Sequence, residues 1–298
     1  MTYVKKCTGV IILVIILFLA FMQVSAEAVN VNVSKKELKY FVGITDKNVS
    51  RYPSVTLVMN GSYINESAYL INDTTYVPLR AAATLAGAKV SFDEKTRSAS
   101  VRMTGLDMTV TDGSYTVLAN GRPLFSKTPS VILSDGRMYL PVRSLAKALS
   151  LDVEWIPERR VSLSGKISPL ISWEKYYRSD ELYWLSRIIS AESRGEPLLG
   201  QIAVGNVILN RMRSPDYPNT VWGVIFDRKY GVQFSPVSNG SIYNTPSYNS
   251  VLAAKICLEG VSVSSDILFF MEPSKSTSSW IYENRRYAFT VGNHYFFY

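Results

Sequence analysis

The sequence predicts an α+β chain in two parts: β-rich repeat units with one helix each, then a mainly helical domain with a few strands. Three observations carry this expectation. First, Thr75-Tyr76-Val77-Pro78-Leu79-Arg80 reappears as Met138-Tyr139-Leu140-Pro141-Val142-Arg143, 63 positions later, and such repetition defines an architecture. Second, Asn60-Gly61 and Asn120-Gly121 place a strong hairpin signal ahead of each copy. Third, beyond residue 180 the pattern turns helical, with Leu182, Leu185 and Ile189 spaced by three and four.

Length and composition bound the rest. A chain of 298 residues suits two domains. A hydrophobic content of 47% and an aromatic content of 12% exclude a disordered chain. Two cysteines cannot build a disulfide scaffold, and a single histidine argues against a His-rich zinc centre.

Along the chain, Lys5 and Lys6 precede an apolar run from Val10 to Met22, followed by Gln23-Val24-Ser25-Ala26. Residues 1–26 read as a secretory signal with a cut after Ala26. The run is short of the roughly 20 residues that span a bilayer, and an uncleaved anchor is the alternative. The expected location is therefore outside the cytoplasmic membrane. Cys7 would leave with the signal, and Cys257, inside an apolar run, reads as a small buried hydrophobe.

Residues 27–52 form an N-terminal linker and 53–165 the repeat domain. In each unit a strand meets the Asn-Gly turn and a second strand runs to the Tyr-x-Pro segment. Proline suits that strand-to-helix junction. A short helix follows, Leu79–Ala86 or Val142–Leu149, and then a strand pair such as Lys89–Phe92 with Ala99–Met103. Residues 166–179, with Pro169, connect to a second domain at 180–298. Its first helix begins near Asp180, an acceptable N-cap.

Charge separates the two parts. Residues 180–298 hold 10 Lys+Arg and 10 Asp+Glu, whereas residues 27–179 hold 20 and 14. In an exported protein this modest basic field points to anionic wall polymers rather than nucleic acid, with ordinary solubilising charge as the alternative.

The repeat region resembles the copper amine oxidase N-terminal-like domain of exported bacterial proteins. The residues that carry the likeness are the two Tyr-x-Pro-x-Arg stretches, each followed by a helix and an aromatic-bearing strand. The name implies no copper here, because residues 53–165 contain neither His nor Cys. Arg80 and Arg143 are expected to pair with the turn or, alternatively, to hold an anion. The module reads as a wall-binding or spacer element.

In the second part, the helical stripe of Leu182, Leu185 and Ile189 next reaches Glu192. Either the helix is ending and Glu192 is solvated, or it projects from an apolar floor into a cleft. Desolvation there would favour the protonated form that a general acid needs. The surrounding sequence is Ala191-Glu192-Ser193-Arg194-Gly195-Glu196-Pro197, then Gly200 to Arg211, Gln233-Phe234-Ser235, and a closing Val291-Gly292-Asn293-His294-Tyr295. This resembles the catalytic domain of the spore cortex-lytic cell wall hydrolases, and the likeness extends over about residues 180–298.

That resemblance implies a lysozyme-like domain and a peptidoglycan lytic transglycosylase in the cell wall or spore envelope. It implies Glu192 as the single catalytic acid and base, which cleaves between N-acetylmuramic acid and N-acetylglucosamine to leave a 1,6-anhydromuramic end. Neither a metal nor another cofactor is implied, and the partner is the glycan strand. Alternatives stay open: an amidase, a hydrolytic muramidase, or a sporulation protein that only binds wall. Glu196 would face Glu192 if the helix continued, but Gly195 and Pro197 favour a structural role. Asn206 and Asn210 are expected to tie down the Glu192 loop or to contact sugar. Gln233, Phe234 and Ser193 are the expected substrate contacts. His294 reads as a core or wall histidine.

Overall fold

The structure, a computed structural model, describes residues 41–229, 231–276 and 280–298. The expected signal lies outside them, as does most of the expected N-terminal linker. Among the described residues no helix is long and apolar enough to cross a membrane.

Among the described residues, the N-terminal part contains thirteen strands, two α-helices and a 3-10 turn at Val49–Arg51. β1 (Ser54–Met59), β2 (Ser62–Tyr63), β3 (Ala68–Ile71) and β4 (Thr74–Pro78) lead into α1 (Leu79–Leu85). β5 (Lys89–Asp93), β6 (Ser98–Met103), β7 (Leu106–Thr111), β8 (Thr116–Ala119) and β9 (Arg122–Phe125) form a five-stranded sheet in that order. β10 (Val131–Ile132) and β11 (Met138–Pro141) lead into α2 (Val142–Leu149), followed by β12 (Asp152–Ile156) and β13 (Arg160–Ser164). The second sheet has the order β10-β11-β4-β3-β1-β13-β12, with β2 beside β1.

The repeat explains this layout. β4 and β11 pair antiparallel with Leu140 opposite Val77, Tyr139 opposite Pro78 and Pro141 opposite Tyr76. Each residue thus faces the other copy's strand about a local twofold axis. Pro78 and Pro141 stand at the N-caps of α1 and α2, where φ values of −67° and −55° lead into the helix without a missed donor. Tyr76 and Tyr139 are buried, their hydroxyls donating to Pro129 O and Asp135 Oδ2 at 2.8 Å. Burial raises both phenols well above their ordinary pKa. The Asn-Gly pairs turn with positive φ at both residues, 48° and 80° in one and 50° and 71° in the other.

The second part is helical around one central element. α3 (Trp173–Tyr176) lies in the connector, followed by α4 (Ser179–Ser193) and α5 (Leu198–Arg213). α5 is buried continuously from Leu198 to Arg211, as expected of a helix packed on all sides. α6 (Val221–Phe226), α7 (Ser235–Asn239) and α8 (Tyr248–Leu258) complete the bundle. β14 (Phe269–Met271), α9 (Trp280–Asn284), β15 (Tyr287–Val291) and β16 (His294–Phe297) close the chain, with β16 at the centre of a three-stranded sheet. Asp180 is not the N-cap of α4. Arg178 holds that position, and Asp180 and Glu181 sit in the first turn, favourably placed on the helix dipole.

The two parts dock tightly. Phe41 enters the helical core and meets Tyr115 and Phe125 of the β-rich part edge-on, at 4.6 and 5.7 Å between centroids. At the seam the Glu259 side chain, 1% exposed, accepts from Arg122 at 2.7 and 2.9 Å, from Lys147 at 2.9 Å and from Tyr177 Oη at 2.6 Å. The turn at Asn120-Gly121 is part of this joint. Asn120 holds Gly105 O and Leu170 O at 2.7 and 2.6 Å, and Trp173 packs where Gly121 would carry a side chain.

Candidate active site

The site begins with the buried face of α4. Leu185, Ile188 and Ile189 are fully buried, and Glu192 follows on the same stripe at the helix end. α4 can lie close to α5 because Gly205 has no side chain: a Cβ there would meet Cys257 Sγ at 2.7 Å and Ile189 Cδ1 at 2.9 Å. Glu192 is partly buried and makes no hydrogen bond or ion pair to the described residues. Desolvation alone pushes its carboxyl up to about 7. The group is therefore substantially protonated at neutral pH and has a proton to give.

The helix stops one residue later. Arg194 is the C-cap, and Glu196 N donates to Ser193 O at 2.9 Å in the turn before α5. Glu196 therefore does not share a helix face with Glu192. Its carboxylate instead accepts from Asn293 N at 2.8 Å and Asn293 Nδ2 at 3.0 Å in the β15–β16 turn. That turn needs Gly292, whose φ is +56° and whose added Cβ would collide with Glu196 Oε2. From below, Gln201 Nε2 donates to Glu196 O at 3.0 Å while its Oε1 accepts from Ser250 Oγ at 2.8 Å. The segment after Glu192 is thus clamped by α5, α8 and the closing hairpin.

His294 is 3% exposed, with Nδ1 3.7 Å from Glu196 Oε1 and without a hydrogen bond to the described residues. Burial lowers its pKa, although Glu196 and Glu272 pull the other way. Its ring packs against Phe270 at 5.5 Å.

The other expected site residues divide. Ser193 is buried, with Oγ donating to Ile189 O at 2.7 Å on its own helix, so its hydroxyl proton is already engaged. Phe234 is 3% exposed and stacks on Phe270 at 6.3 Å, so its ring belongs to the core. Asn206 and Asn210 do serve as ties, but not for the Glu192 loop. Asn206 bonds Val261 O at 2.9 Å and Val263 N at 2.8 Å, and Asn210 bonds Ser264 O and Ile267 O at 3.0 Å. Both hold the segment between α8 and β14, since amides on an all-buried helix must be paired. Gln233 lines a cavity of about 800 Å³, whose walls include Asp216, Tyr217, Asp227, Trp280 and Arg285. Arg285 Nε is buried there with no hydrogen-bond partner among the described residues. Glu192 is not among the lining residues of this cavity.

Arg80 and Arg143 do not pair with the turn as expected. Arg80 donates to Val90 O on β5 at 3.0 Å, and Arg143 makes no hydrogen bond or ion pair to the described residues.

Sequence reasoning missed Gln201, Glu259 and the Trp280–Arg285 wall. Gln201 gave the same signal as Asn206 and Asn210, a polar amide on an apolar helix. Glu259 carried no local signal, because its partners lie more than 80 positions away.

Residues 195–297 match the family described as Cell Wall Hydrolase, and residues 58–163 match the Copper amine oxidase N-terminal domain. The chain is 38% identical over 120 residues to a spore cortex-lytic enzyme of Bacillus cereus, covering 40% of this chain and 45% of that protein. It is 35% identical over 120 residues to the spore cortex-lytic enzyme of Bacillus subtilis, covering 38% of that protein. The chain thus spans less than half the length of these curated relatives. A solved structure, the catalytic domain of the germination-specific lytic transglycosylase SleB from Bacillus anthracis, is 37% identical over 41% of this chain and 97% of that one, with a TM-score of 0.38.

The C-terminal part is accordingly a cell wall hydrolase domain. The chain joins it to a copper amine oxidase N-terminal domain, and it is homologous to the spore cortex-lytic enzymes. Copper does not fit the residues present: the matched N-terminal segment has no His or Cys, and no described group of three His, Cys, Asp or Glu could hold a metal.

Proposed function

We propose that this protein is a peptidoglycan lytic transglycosylase that acts outside the cytoplasmic membrane on spore cortex during germination. One observation carries the chemistry: a partly buried carboxyl, Glu192, ends an apolar stripe with no partner among the described residues and a pKa pushed up to about 7. Likeness to the spore cortex-lytic enzymes supports the substrate class.

Glu192 gives its proton to the glycosidic oxygen as the C1–O bond breaks. The muramic C6 hydroxyl then attacks C1, and its proton returns to the Glu192 carboxylate. No water is consumed, and the 1,6-anhydro ring closes within the sugar. A retaining hydrolase needs a second carboxylate roughly 5–5.5 Å from the first. The nearest in sequence, Glu196, is engaged with Asn293, which favours the single-carboxylate route. Gln233, Trp280 and Arg285 supply an amide, an aromatic face and a cation for sugar and peptide groups. The excess of cations in residues 27–179 supports contact of the N-terminal domain with anionic wall polymers.

The test is mass spectrometry of purified cortex and vegetative peptidoglycan after digestion, with Glu192→Gln alongside. Anhydromuramic ends that vanish in the variant are expected. Reducing ends would mean water attacks, freed stem peptide would mean an amidase, and no new ends would leave a wall-binding protein.

A further inference from the structure

The local twofold that relates the two Tyr-x-Pro strands also generates two grooves of like construction. Each has a volume of about 540 Å³. The first brings together Arg80, Val90 and Phe92 of the first repeat with Arg137 of the second. The other brings together Arg143, Val153 and Trp155 of the second repeat with Thr74 of the first. Arg143, Val153 and Trp155 each stand 63 positions after Arg80, Val90 and Phe92. The same frame thus offers an arginine and an aromatic ring twice.

The two grooves differ in what their cations already hold. In the first, Arg97 lies 2.7 Å from Asp112, and Arg137 lies 3.1 Å from Asp135 and 3.3 Å from Glu66. Arg80 gives its hydrogen bond to Val90 O. In the second, Arg143 and Lys127 are both exposed, and neither side chain has an acidic or hydrogen-bonding partner among the described residues. Beside them Trp155 is 50% exposed, whereas Phe92 in the matching place is partly buried. One copy is internally neutralised. The other presents an open indole face next to two cations and a single carboxylate, Asp73, which forms no ion pair with either of them among the described residues.

We propose that the Trp155–Arg143 groove is a glycan-binding site, separate from Glu192, for a carboxylate-bearing sugar of the peptidoglycan strand. The apolar face of the pyranose lies on the indole. Its lactyl or peptide carboxylate takes a charge-assisted bond from the Arg143 guanidinium, with Lys127 adding field. This deepens the reading of a wall-directed enzyme and rests on its substrate class. Held there, the polymer raises the local concentration of cleavable bonds at the catalytic domain.

The experiment measures binding of the full protein carrying Glu192→Gln, so that the ligand is not consumed, to insoluble purified peptidoglycan. Trp155→Ala and Arg143→Ala are each added, with Phe92→Ala and Arg80→Ala as matched controls. Both second-groove variants are expected to weaken binding by roughly tenfold, the loss of one stacked ring or one charge-assisted bond. The Arg143 effect should shrink as salt rises and be absent on chitin, which has the ring but no carboxylate. The controls should change binding by less than about threefold. Unchanged binding in both second-groove variants, or equal losses in the controls, overturns the proposal. Trp155 and Arg143 are surface side chains, and unchanged melting of the variants excludes misfolding as the cause. Retained groove-dependent binding without anhydromuramic products from the parent protein would sink the transglycosylase reading alone.

Discussion

Glu259→Ala should destabilise this protein more than any surface change, and the amount can be worked from its surroundings. Glu259 and Arg122 are 1% and 3% exposed and joined at 2.7 Å. Removing the carboxylate strands the Arg122 cation in a seam where the uncharged Tyr176 ring, 3.2 Å from the guanidinium carbon, and the Tyr177 phenol remain beside it. Breaking a buried pair from one side costs about 3–5 kcal/mol, and the Tyr177 hydroxyl loses its acceptor as well. Lys147 contributes little, because at 44% exposure it can rehydrate. Melting should fall by on the order of 10 °C. Because the seam joins both parts, the calorimetric transition should also split in two. The double variant Arg122→Met, Glu259→Met should recover most of the loss, since replacing both charges by apolar groups is near neutral.

Acid gives a second handle on the same group. Burial alone would raise Glu259, but bonds from Arg122, Tyr177 and Lys147 reverse this and hold its pKa below the ordinary value. Its stabilisation is therefore complete above the unfolded carboxyl pKa and is lost as pH falls through the lower folded one. The gap between parent and Glu259→Ala should close in that window. A single variant within about 1 kcal/mol of the parent, or a double variant less stable than the single, would refute the reasoning.

The C-terminal domain supplies the remaining expectations. Activity should decline as pH rises through about 7, because Glu192 must begin protonated, and a pH-rate profile on cortex fragments checks this. The raised pKa also costs the folded state as pH climbs from 4.5 to about 7. Glu192→Gln should therefore be inactive yet more stable at neutral pH, by up to about 3 kcal/mol in urea titration. Gly292→Ala should break the Glu196–Asn293 clamp and cost about 1–3 kcal/mol, with activity reduced further than stability explains. Gly205→Ala forces a methyl against Cys257 and Ile189 and should cost about 1–3 kcal/mol, read as a lowered melting temperature.

Much of the first domain is legible in its repeat. Asn-Gly turns, Tyr-x-Pro junctions and the helices after them depend on local stereochemistry, and Val142–Leu149 coincides with its expected span. β7 is not legible in this way: the repeat has no slot for Leu106–Thr111, and β7 forms by pairing with β6 on one side and β8 on the other. In the second domain the stripe that ends at Glu192 and the break after it are written in residue spacing and in Gly195 and Pro197. Which way Ser193 and Phe234 point is not. Ser193 bonds its own helix and Phe234 fills the core because neighbours distant in sequence exclude water around them.

Local geometry and periodicity thus account for most of the elements, for their order and for the carboxyl at the end of α4, and all of these can be read along the chain. The environment of each group arises only when distant segments pack. Glu192 has a raised pKa because packing desolvates it and supplies no partner. Glu196 is engaged because the closing hairpin arrives beside it. Arg143 stays unpaired among the described residues while Arg80 is bonded, although both occupy the same place in the repeat. Desolvation and pairing are properties of three-dimensional neighbours, and one-dimensional spacing does not contain them.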